Sequence, residues 1–139
     1  MILLDTNVVS AVTAPAPPRA VLQWLDEQPT DTLYLSSVTI AEIAYGIEVL
    51  PDEIRRRSLA TRFDSFIAAG FEQRVLGFDP ACAFEYARIM AHRRRIGRPM
   101  SVPDGQIAAI ARHHRMVVAT RNLRDFEECG LNLVNPFAA

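Results

Sequence analysis

The sequence predicts a three-layer α/β/α domain with a mostly parallel central sheet of about five strands. Short apolar runs, of which Ile2 to Leu4 is the first, alternate along the chain with longer segments of helical spacing. Strands that alternate with helices imply right-handed crossovers and a parallel sheet covered on both faces. Of the 139 residues, half are apolar and 22% are charged, which is typical of a globular domain. We therefore expect residues 1–139 to form a single domain.

Prolines and glycines mark the boundaries of the predicted elements. Pro15 ends the first helix, Pro51 and Pro80 start later ones, and Gly70 and Gly97 end two of them. In chain order we expect a strand at 2–4, helices at 6–12 and 19–27, a strand at 31–35, helices at 38–50 and 51–69, a strand at 74–78, a helix from 80 to the stop at 97, a helix at 101–114, a strand at 116–119, a helical turn at 125–129 and a weak strand at 131–134.

Two of these helices carry a carboxylate on a stripe that is otherwise apolar or small, and we expect both stripes to face inward. The stripe at 38–50 consists of Val38, Glu42, Tyr45, Gly46 and Val49. The stripe at 101–114 consists of Asp104, Ile107, Ala108 and Ala111.

The composition argues against several other kinds of site. Cys82 and Cys129 lack CxxC spacing, so we expect buried thiols without a redox role, and the three histidines lack zinc-site spacing. All fifteen basic residues are arginine, which excludes lysine Schiff-base chemistry and a Walker lysine. No apolar stretch approaches the roughly 20 residues of a membrane span, and the first apolar run has no basic leader, so we expect a cytoplasmic protein.

Three acids stand at predicted transitions from strand to helix: Asp5, Glu42 and Asp104. Each of them could simply cap a helix, since Thr39 and Ser101 precede Glu42 and Asp104 at the spacing of a capping box. However, a parallel sheet gathers the carboxyl ends of its strands at one edge, where ligands bind. We therefore expect the three carboxylates to converge there.

Carboxylates that converge repel one another unless a proton or a cation neutralises them. Ligands that are all oxygen, without histidine or thiolate, favour a hard ion such as magnesium or manganese. Such a site suits phosphodiester hydrolysis by water, which needs no protein nucleophile. The sequence also lacks a G-x-S-x-G elbow and a cysteine paired with histidine.

Four motifs occur in the order in which they stand in PIN-domain ribonucleases of the VapC toxin type, and the chain resembles this family over nearly its whole length. The motifs are LLDTNVVS, SVTIAEIAYGI, SVPDGQIAAIA and VVATRNLRDF. The FitB-like branch is the most similar in length and motif spacing. The resemblance implies a three-layer PIN domain and a magnesium- or manganese-dependent endoribonuclease that serves as the toxin of a toxin–antitoxin pair.

The resemblance also implies roles for individual residues. It assigns Asp5, Glu42 and Asp104 to the acidic metal-binding centre, and Thr6 and Thr120 to supporting hydroxyls. The fourth acid of many relatives falls at Asn122 in this chain, and an amide brings no charge, so a second metal ion should bind more weakly than the first. Asp125 could compensate for this difference or could cap a short helix at the surface.

The arginines divide into two groups. We expect the arginines at 55–57, at 93–95 and at 98 to lie on solvated faces or near helix ends. Arg121 and Arg124 are the candidates for contacts with an RNA backbone, because they adjoin the fourth ligand position.

Partners follow from the resemblance as well. It implies an RNA substrate, a cognate antitoxin, a homodimer, and DNA contacts made only indirectly through the antitoxin. The helices at 38–69 would form the antitoxin groove, where Tyr45, Ile47 and Leu50 are either contacts or core residues.

Two other functions stay open. One is a catalytically silent PIN-like module that binds a protein or RNA partner, which Asn122 favours. The other is an acid-pocket phosphatase with Asp5 as nucleophile. The phosphatase is poorly supported because Asn7 replaces the general acid and the chain has no lysine.

Overall fold

Five strands and seven helices alternate along residues 1–138, the part of the chain that the computed structural model describes. The strands are β1 (Ile2–Leu4), β2 (Leu33–Ser36), β3 (Val75–Leu76), β4 (Val117–Ala119) and β5 (Leu133–Val134). The helices are α1 (Thr6–Thr13), α2 (Arg19–Asp26), α3 (Ser37–Glu48), α4 (Glu53–Ala68), α5 (Pro80–Arg95), α6 (Val102–His114) and α7 (Leu123–Phe126), with a 3₁₀ turn at Thr30–Thr32.

The strands form one sheet in the order β3-β2-β1-β4-β5, and every pair of neighbours is parallel. Ile2 of β1 lies opposite Leu33 of β2 on one side and Val117 of β4 on the other. The strand order therefore reverses at β1, and the crevice typical of such sheets lies at the carboxyl end of this strand. Asp5 is the next residue along the chain.

The core consists of two apolar layers, one on each face of the sheet. Successive strand residues point to opposite faces, so Leu3 packs with Ile107 and Ile110 of α6, whereas Leu4 packs with Val8 of α1 and Phe63 of α4. Both leucines are fully buried. The predicted three-layer α/β/α fold with a parallel sheet of five strands is confirmed.

Several element boundaries differ from those predicted. The strand expected at 74–78 is only Val75–Leu76, and the last strand is Leu133–Val134. The last helical turn is Leu123–Phe126 and not 125–129. The reason is that Glu127 is extended and Glu128 adopts a positive φ of 61°, so the chain leaves the helix just after the buried ring of Phe126.

Two expectations about burial were wrong. In α3, Tyr45 is 71% exposed and Val49 is 58% exposed, so the stripe that carries Glu42 faces outward while Thr39 and Ile47 form the buried side. Arg93 was expected on a solvated face or near a helix end. It does stand in the last turn of α5, but it is only 4% exposed, because its guanidinium donates to the carbonyl oxygens of Asp125 and Glu127.

The expectation of two buried thiols is confirmed. Cys82 and Cys129 are buried free thiols, and their pKa values are raised by burial. None of the helices in residues 1–138 has both the length and the apolar character needed to cross a membrane.

Candidate active site

Asp5 leaves the central strand and turns its carboxylate into the molecule. Its side chain is only 4% exposed, and its backbone nitrogen extends the sheet by donating to the carbonyl oxygen of Ala119 over 2.9 Å. Oδ1 accepts from the backbone nitrogen of Thr6 over 2.8 Å, so Asp5 does cap α1. Oδ2 accepts from Oγ1 of the buried Thr120 over 2.8 Å. The carboxylate is therefore fixed from two sides at the switch point of the sheet.

Glu42 stands in α3 and is connected to Asp5 through Thr6. Oε1 of Glu42 accepts a 2.7 Å hydrogen bond from Oγ1 of Thr6. The N-cap of α3 is Ser36, whose side chain accepts from the backbone nitrogen of Thr39 over 3.0 Å. Glu42 is thus one turn beyond the capping position, and the capping explanation fails for this acid.

Asp104 lies in the first turn of α6. The cap of this helix is Ser101, whose Oγ accepts from the backbone nitrogen of Asp104 over 3.3 Å. The Asp104 residue is half-buried, and it lines the same cleft as Asp5 and Glu42. The cleft has a volume of about 510 Å³ and is lined by Asp5, Thr6, Asn7, Ser10, Ala11, Glu42, Asp104 and Arg121.

The electrostatics of the cleft reflect crowded negative charge in a desolvated place. Burial raises the pKa of Asp5 to about 6, and the charges of Asp104 and Glu42 add to the increase, while the hydrogen bonds from Thr120 and Thr6 oppose it. Burial also raises the pKa of Asp104, with further contributions from the charges of Asp125 and Glu42. A cation bound beside these two carboxyl groups would lower their pKa values, because it stabilises the ionised form.

The donor set of the cleft fits a hard divalent cation. The described residues that line it offer carboxylate, hydroxyl and amide oxygens and no imidazole or thiolate. Within residues 1–138, no three side chains of the His, Cys, Asp or Glu type are gathered as a ready-made metal cluster. Oδ1 of Asp5 accepts from the backbone nitrogen of Thr6, and Oδ2 accepts from the Thr120 hydroxyl. Oε1 of Glu42 accepts from the Thr6 hydroxyl, so a cation would share these carboxylate oxygens with the three donors.

The segment after β4 forms the other wall of the site. Thr120 is fully buried, and its Oγ1 accepts from the backbone nitrogen of Asn122 over 3.1 Å. Asn122 is exposed and makes no side-chain cap for α7. The exposed Asp125 acts on Asp104 through its charge. Asn122 therefore stands beside the cleft through its backbone contact with Thr120, and its side chain is not among those that line the cleft.

Two residues of the site were not singled out for it by sequence reasoning. Asn7 lines the cleft, and its Oδ1 accepts from the backbone nitrogen of Arg121 over 3.1 Å. Ser10, one turn later in α1, lines the cleft as well. The available signal was the spacing of three between Asn7 and Ser10, which puts the two residues on one face of α1 just after Asp5. Arg121 also lines the cleft, whereas Arg124 is exposed and is not among the lining residues.

Two apolar depressions adjoin the acids. The first has a volume of about 330 Å³ and lies between α1, α3 and α4, where Ile47, Leu50 and Leu59 line it together with Glu42. The second, of about 450 Å³, lies between α3 and α6 and includes Tyr45 and Pro103. Tyr45 therefore faces a different depression from Ile47 and Leu50.

Comparisons with known proteins found chains that are similar in sequence and in fold. The family described as PIN domain matches residues 2–130 of the chain. The plasmid stability protein StbB of Pseudomonas syringae pv. tomato is 42% identical over 139 residues, which cover 100% of both chains. The VapC ribonuclease Y4jK of Sinorhizobium fredii is 41% identical over 137 residues, which cover 99% of this chain and 98% of that protein.

Two further comparisons concern a toxin and its solved complex. The toxin FitB of Neisseria gonorrhoeae is 36% identical over 137 residues, which cover 99% of each chain. A solved structure of FitAB bound to the IR36 DNA fragment is similar with a TM-score of 0.91 and 37% identity, and the match covers 99% of this chain and 96% of that one.

Proposed function

The chain belongs to the PIN-domain family, with VapC ribonucleases and FitB toxins among its relatives, and from this premise we propose that it is a magnesium- or manganese-dependent endoribonuclease and the toxin of a toxin–antitoxin pair. One observation carries the proposal. Three acids from distant parts of the chain, Asp5, Glu42 and Asp104, line one cleft at the switch point of the sheet.

The chain's own residues have distinct tasks in this proposal. Asp5, Glu42 and Asp104 would hold the cation, which when bound activates water and offsets the charge that develops on the phosphate and the leaving oxygen. Thr120 and Thr6 orient the two oxygens of Asp5, and the Thr6 hydroxyl also orients Glu42.

The rim of the cleft would position the substrate. If Asn122 takes the fourth ligand position, its amide oxygen would bring no charge, so a second cation would bind more weakly than the first. Arg121 and Arg124 would contact the RNA backbone, because arginine forks suit phosphate oxygens.

The proposal includes an antitoxin as partner. The similar structure of FitAB bound to the IR36 DNA fragment supports this partner. In the proposal, this chain would contact DNA only indirectly, through its antitoxin. The depression lined by Ile47, Leu50 and Leu59 adjoins Glu42 and offers an apolar seat for a partner segment. The exposed side chains of Tyr45 and Val49 support a homodimer.

The experiment is RNA cleavage by the full chain and by the Asp5→Asn and Asp104→Asn variants, each with magnesium, with manganese and with EDTA. We expect cleavage by the parent protein in the presence of either metal, none in EDTA, and loss of cleavage in both variants. Circular dichroism and thermal melts check that the variants are folded. A folded variant that cuts RNA at the parent rate would contradict the proposal.

The second candidate function is a silent module that binds RNA or a protein without cutting. The uncharged Asn122 favours it, together with the lack of a ready-made metal cluster in residues 1–138. Tight binding of an RNA oligonucleotide without metal, and no turnover after magnesium or manganese is added, would support this function over the first.

A further inference from the structure

We propose that Phe137, close to the end of the chain, is a positioning residue that holds the guanidinium of Arg121 at the rim of the acidic cleft, where it binds a phosphate of the RNA strand. This inference rests on the proposed function for the nature of the substrate. It adds a task for the C-terminal segment, which lies outside the four sequence motifs.

The backbone of Arg121 is fixed from both sides of the site. Its nitrogen donates to Oδ1 of Asn7 over 3.1 Å, and its carbonyl oxygen accepts from Nδ2 of Asn135 over 3.5 Å. Asn7 lies in the first turn of α1, two residues after Asp5. These contacts place the backbone of Arg121 beside the start of α1, close to Asp5.

The side chain of Arg121 is stacked on an aromatic ring. Its Cζ atom lies 4.7 Å from the centroid of the Phe137 ring, which is within the range of a cation–π interaction. Phe137 is partly buried against the core layer that contains Leu4 and Val8. The backbone nitrogen of Phe137 donates to Oδ1 of Asn135 over 2.9 Å. Asn135 thus contacts Arg121 and Phe137 with the two ends of one amide.

The stacking keeps Arg121 away from the acids. Arg121 lines the cleft together with Asp5, Glu42 and Asp104, and it is the one basic residue among the described residues that do so. Nevertheless, no Asp or Glu oxygen of residues 1–138 lies within 4.0 Å of its guanidinium, although Arg98 forms such a pair with Glu127 at 2.9 Å.

A guanidinium that collapsed onto the acids would neutralise them and block the cation site. When the guanidinium is stacked on Phe137, its N–H donors stay free to bind a phosphate. Its positive charge then offsets the repulsion between that phosphate and the neighbouring carboxylates. Arg124 is less suited to this task because it does not line the cleft, and its carbonyl oxygen accepts from Arg98 in a separate contact.

The first experiment measures RNA binding in the Asp104→Asn background, where cleavage is not expected. A fluorescent single-stranded RNA oligonucleotide is titrated at several salt concentrations. We expect Arg121→Gln to raise Kd about tenfold and to reduce the salt slope by about one. Arg88→Gln, at an exposed arginine of α5 that does not line the cleft, should leave Kd unchanged and serves as the matched control.

The second experiment tests Phe137 through a double-mutant cycle in the otherwise unchanged chain. We expect Phe137→Leu to raise KM about threefold with kcat kept, Phe137→Tyr to retain the parent KM, and Phe137→Leu to have no further effect on KM when Arg121 is already glutamine. Thermal melts of each variant show whether it is folded.

The outcomes separate this inference from the proposed function. An unchanged KM in folded Phe137→Leu would overturn the positioning role. It would also be overturned if the two substitutions acted independently, so that their separate increases in KM multiply in the double variant. If the parent protein does not cleave RNA, the same cycle is measured as Kd. Weaker binding by Arg121→Gln and by Phe137→Leu would then support the inference while the nuclease proposal fails.

Discussion

The hydroxyl of Thr6 donates a 2.7 Å hydrogen bond to Oε1 of Glu42, which lies 36 residues further along the chain. The backbone nitrogen of the same threonine donates to Oδ1 of Asp5 over 2.8 Å. Thr6 therefore orients two of the three acids. Its Oγ1 atom also lies 3.0 Å from Oγ1 of Thr39, which is fully buried in α3. The arrangement is that of a supporting residue behind a set of ligands.

We expect Thr6→Val to lower kcat/KM for RNA and the affinity for Mn²⁺, each by about 10- to 100-fold, because Glu42 loses its orienting donor. Thr6→Ser keeps the hydroxyl and should stay close to the parent. Ser10→Ala, which alters another residue lining the cleft, is the matched control. Cleavage assays and Mn²⁺ titrations by calorimetry measure the effects. Parent-like values for folded Thr6→Val would show that Glu42 does not depend on this hydrogen bond.

Arg93 gives a prediction about stability. Its guanidinium donates to the carbonyl oxygens of Arg98, Asp125 and Glu127 over 2.6, 3.1 and 2.7 Å, and it is 4% exposed. Arg93→Ala would remove these three hydrogen bonds together with a buried side chain, so we expect the free energy of unfolding to fall by about 3 kcal/mol in urea titrations. The adjacent exposed Arg94 is the control, and Arg94→Ala should change it by less than about 0.5 kcal/mol. Equal effects of the two substitutions would contradict the buried network.

The sequence was sufficient for the fold and for the place of Asp5. The apolar run of β1 predicts a strand buried on both faces, and the rule that parallel strands end at one edge puts Asp5 at the ligand crevice. Asp104 was expected after a strand, but α6 follows α5, so its place in the cleft depends on how α6 packs against the sheet. The same rule could not find the hydrogen bond between Thr6 and Glu42. That contact depends on how α3 is rotated against α1, which the sequence does not specify.

Two failures have physical reasons. Helix α3 is apolar on more than one side, so spacing alone could not tell the exposed stripe of Tyr45 and Val49 from the buried side of Ile47. Arg93 stands in a run of three arginines, which is typical of a solvated helix end. Its burial depends on the carbonyl oxygens of Asp125 and Glu127, which lie more than 30 residues further along the chain.

The raised pKa of Asp5 predicts a pH dependence of stability for the metal-free protein. Its usual pKa is 3.8 and burial raises it to about 6, so between these values the folded state holds a proton that the unfolded chain has lost. This contribution to stability is present below about pH 4 and is lost as the pH rises through about 6. Above that pH, the folded protein carries a buried charge.

We therefore expect Asp5→Asn in EDTA to match the parent near pH 4 and to exceed its free energy of unfolding by roughly 2–3 kcal/mol at pH 7.5. Denaturant titrations at the two pH values measure the difference. Mn²⁺ should stabilise the parent at pH 7.5 and have little effect on the variant. A variant that is less stable than the parent at pH 7.5 in EDTA would mean that burial of the ionised Asp5 carboxylate does not destabilise the folded protein.

Alanine substitutions at two helical glycines should change the free energy of unfolding in opposite directions. A Cβ atom on Gly105, next to Asp104 in α6, would lie 2.5 Å from Sδ of Met90 and 2.9 Å from Cε1 of Tyr86, both in α5. Overpacking of this kind costs about 1–3 kcal/mol, so Gly105→Ala should lower the free energy of unfolding by that amount. A Cβ atom on Gly46 in α3 would meet no atom within 4 Å, so Gly46→Ala should raise it by about 0.5 kcal/mol through helix propensity. Urea titrations of the two variants test both signs, and stabilisation by both substitutions would show that α5 and α6 are not packed as closely as this. Because Gly105 adjoins Asp104, the shift that this clash forces on α6 should also reduce RNA cleavage, whereas Gly46→Ala provides the comparison for a glycine replaced without a clash.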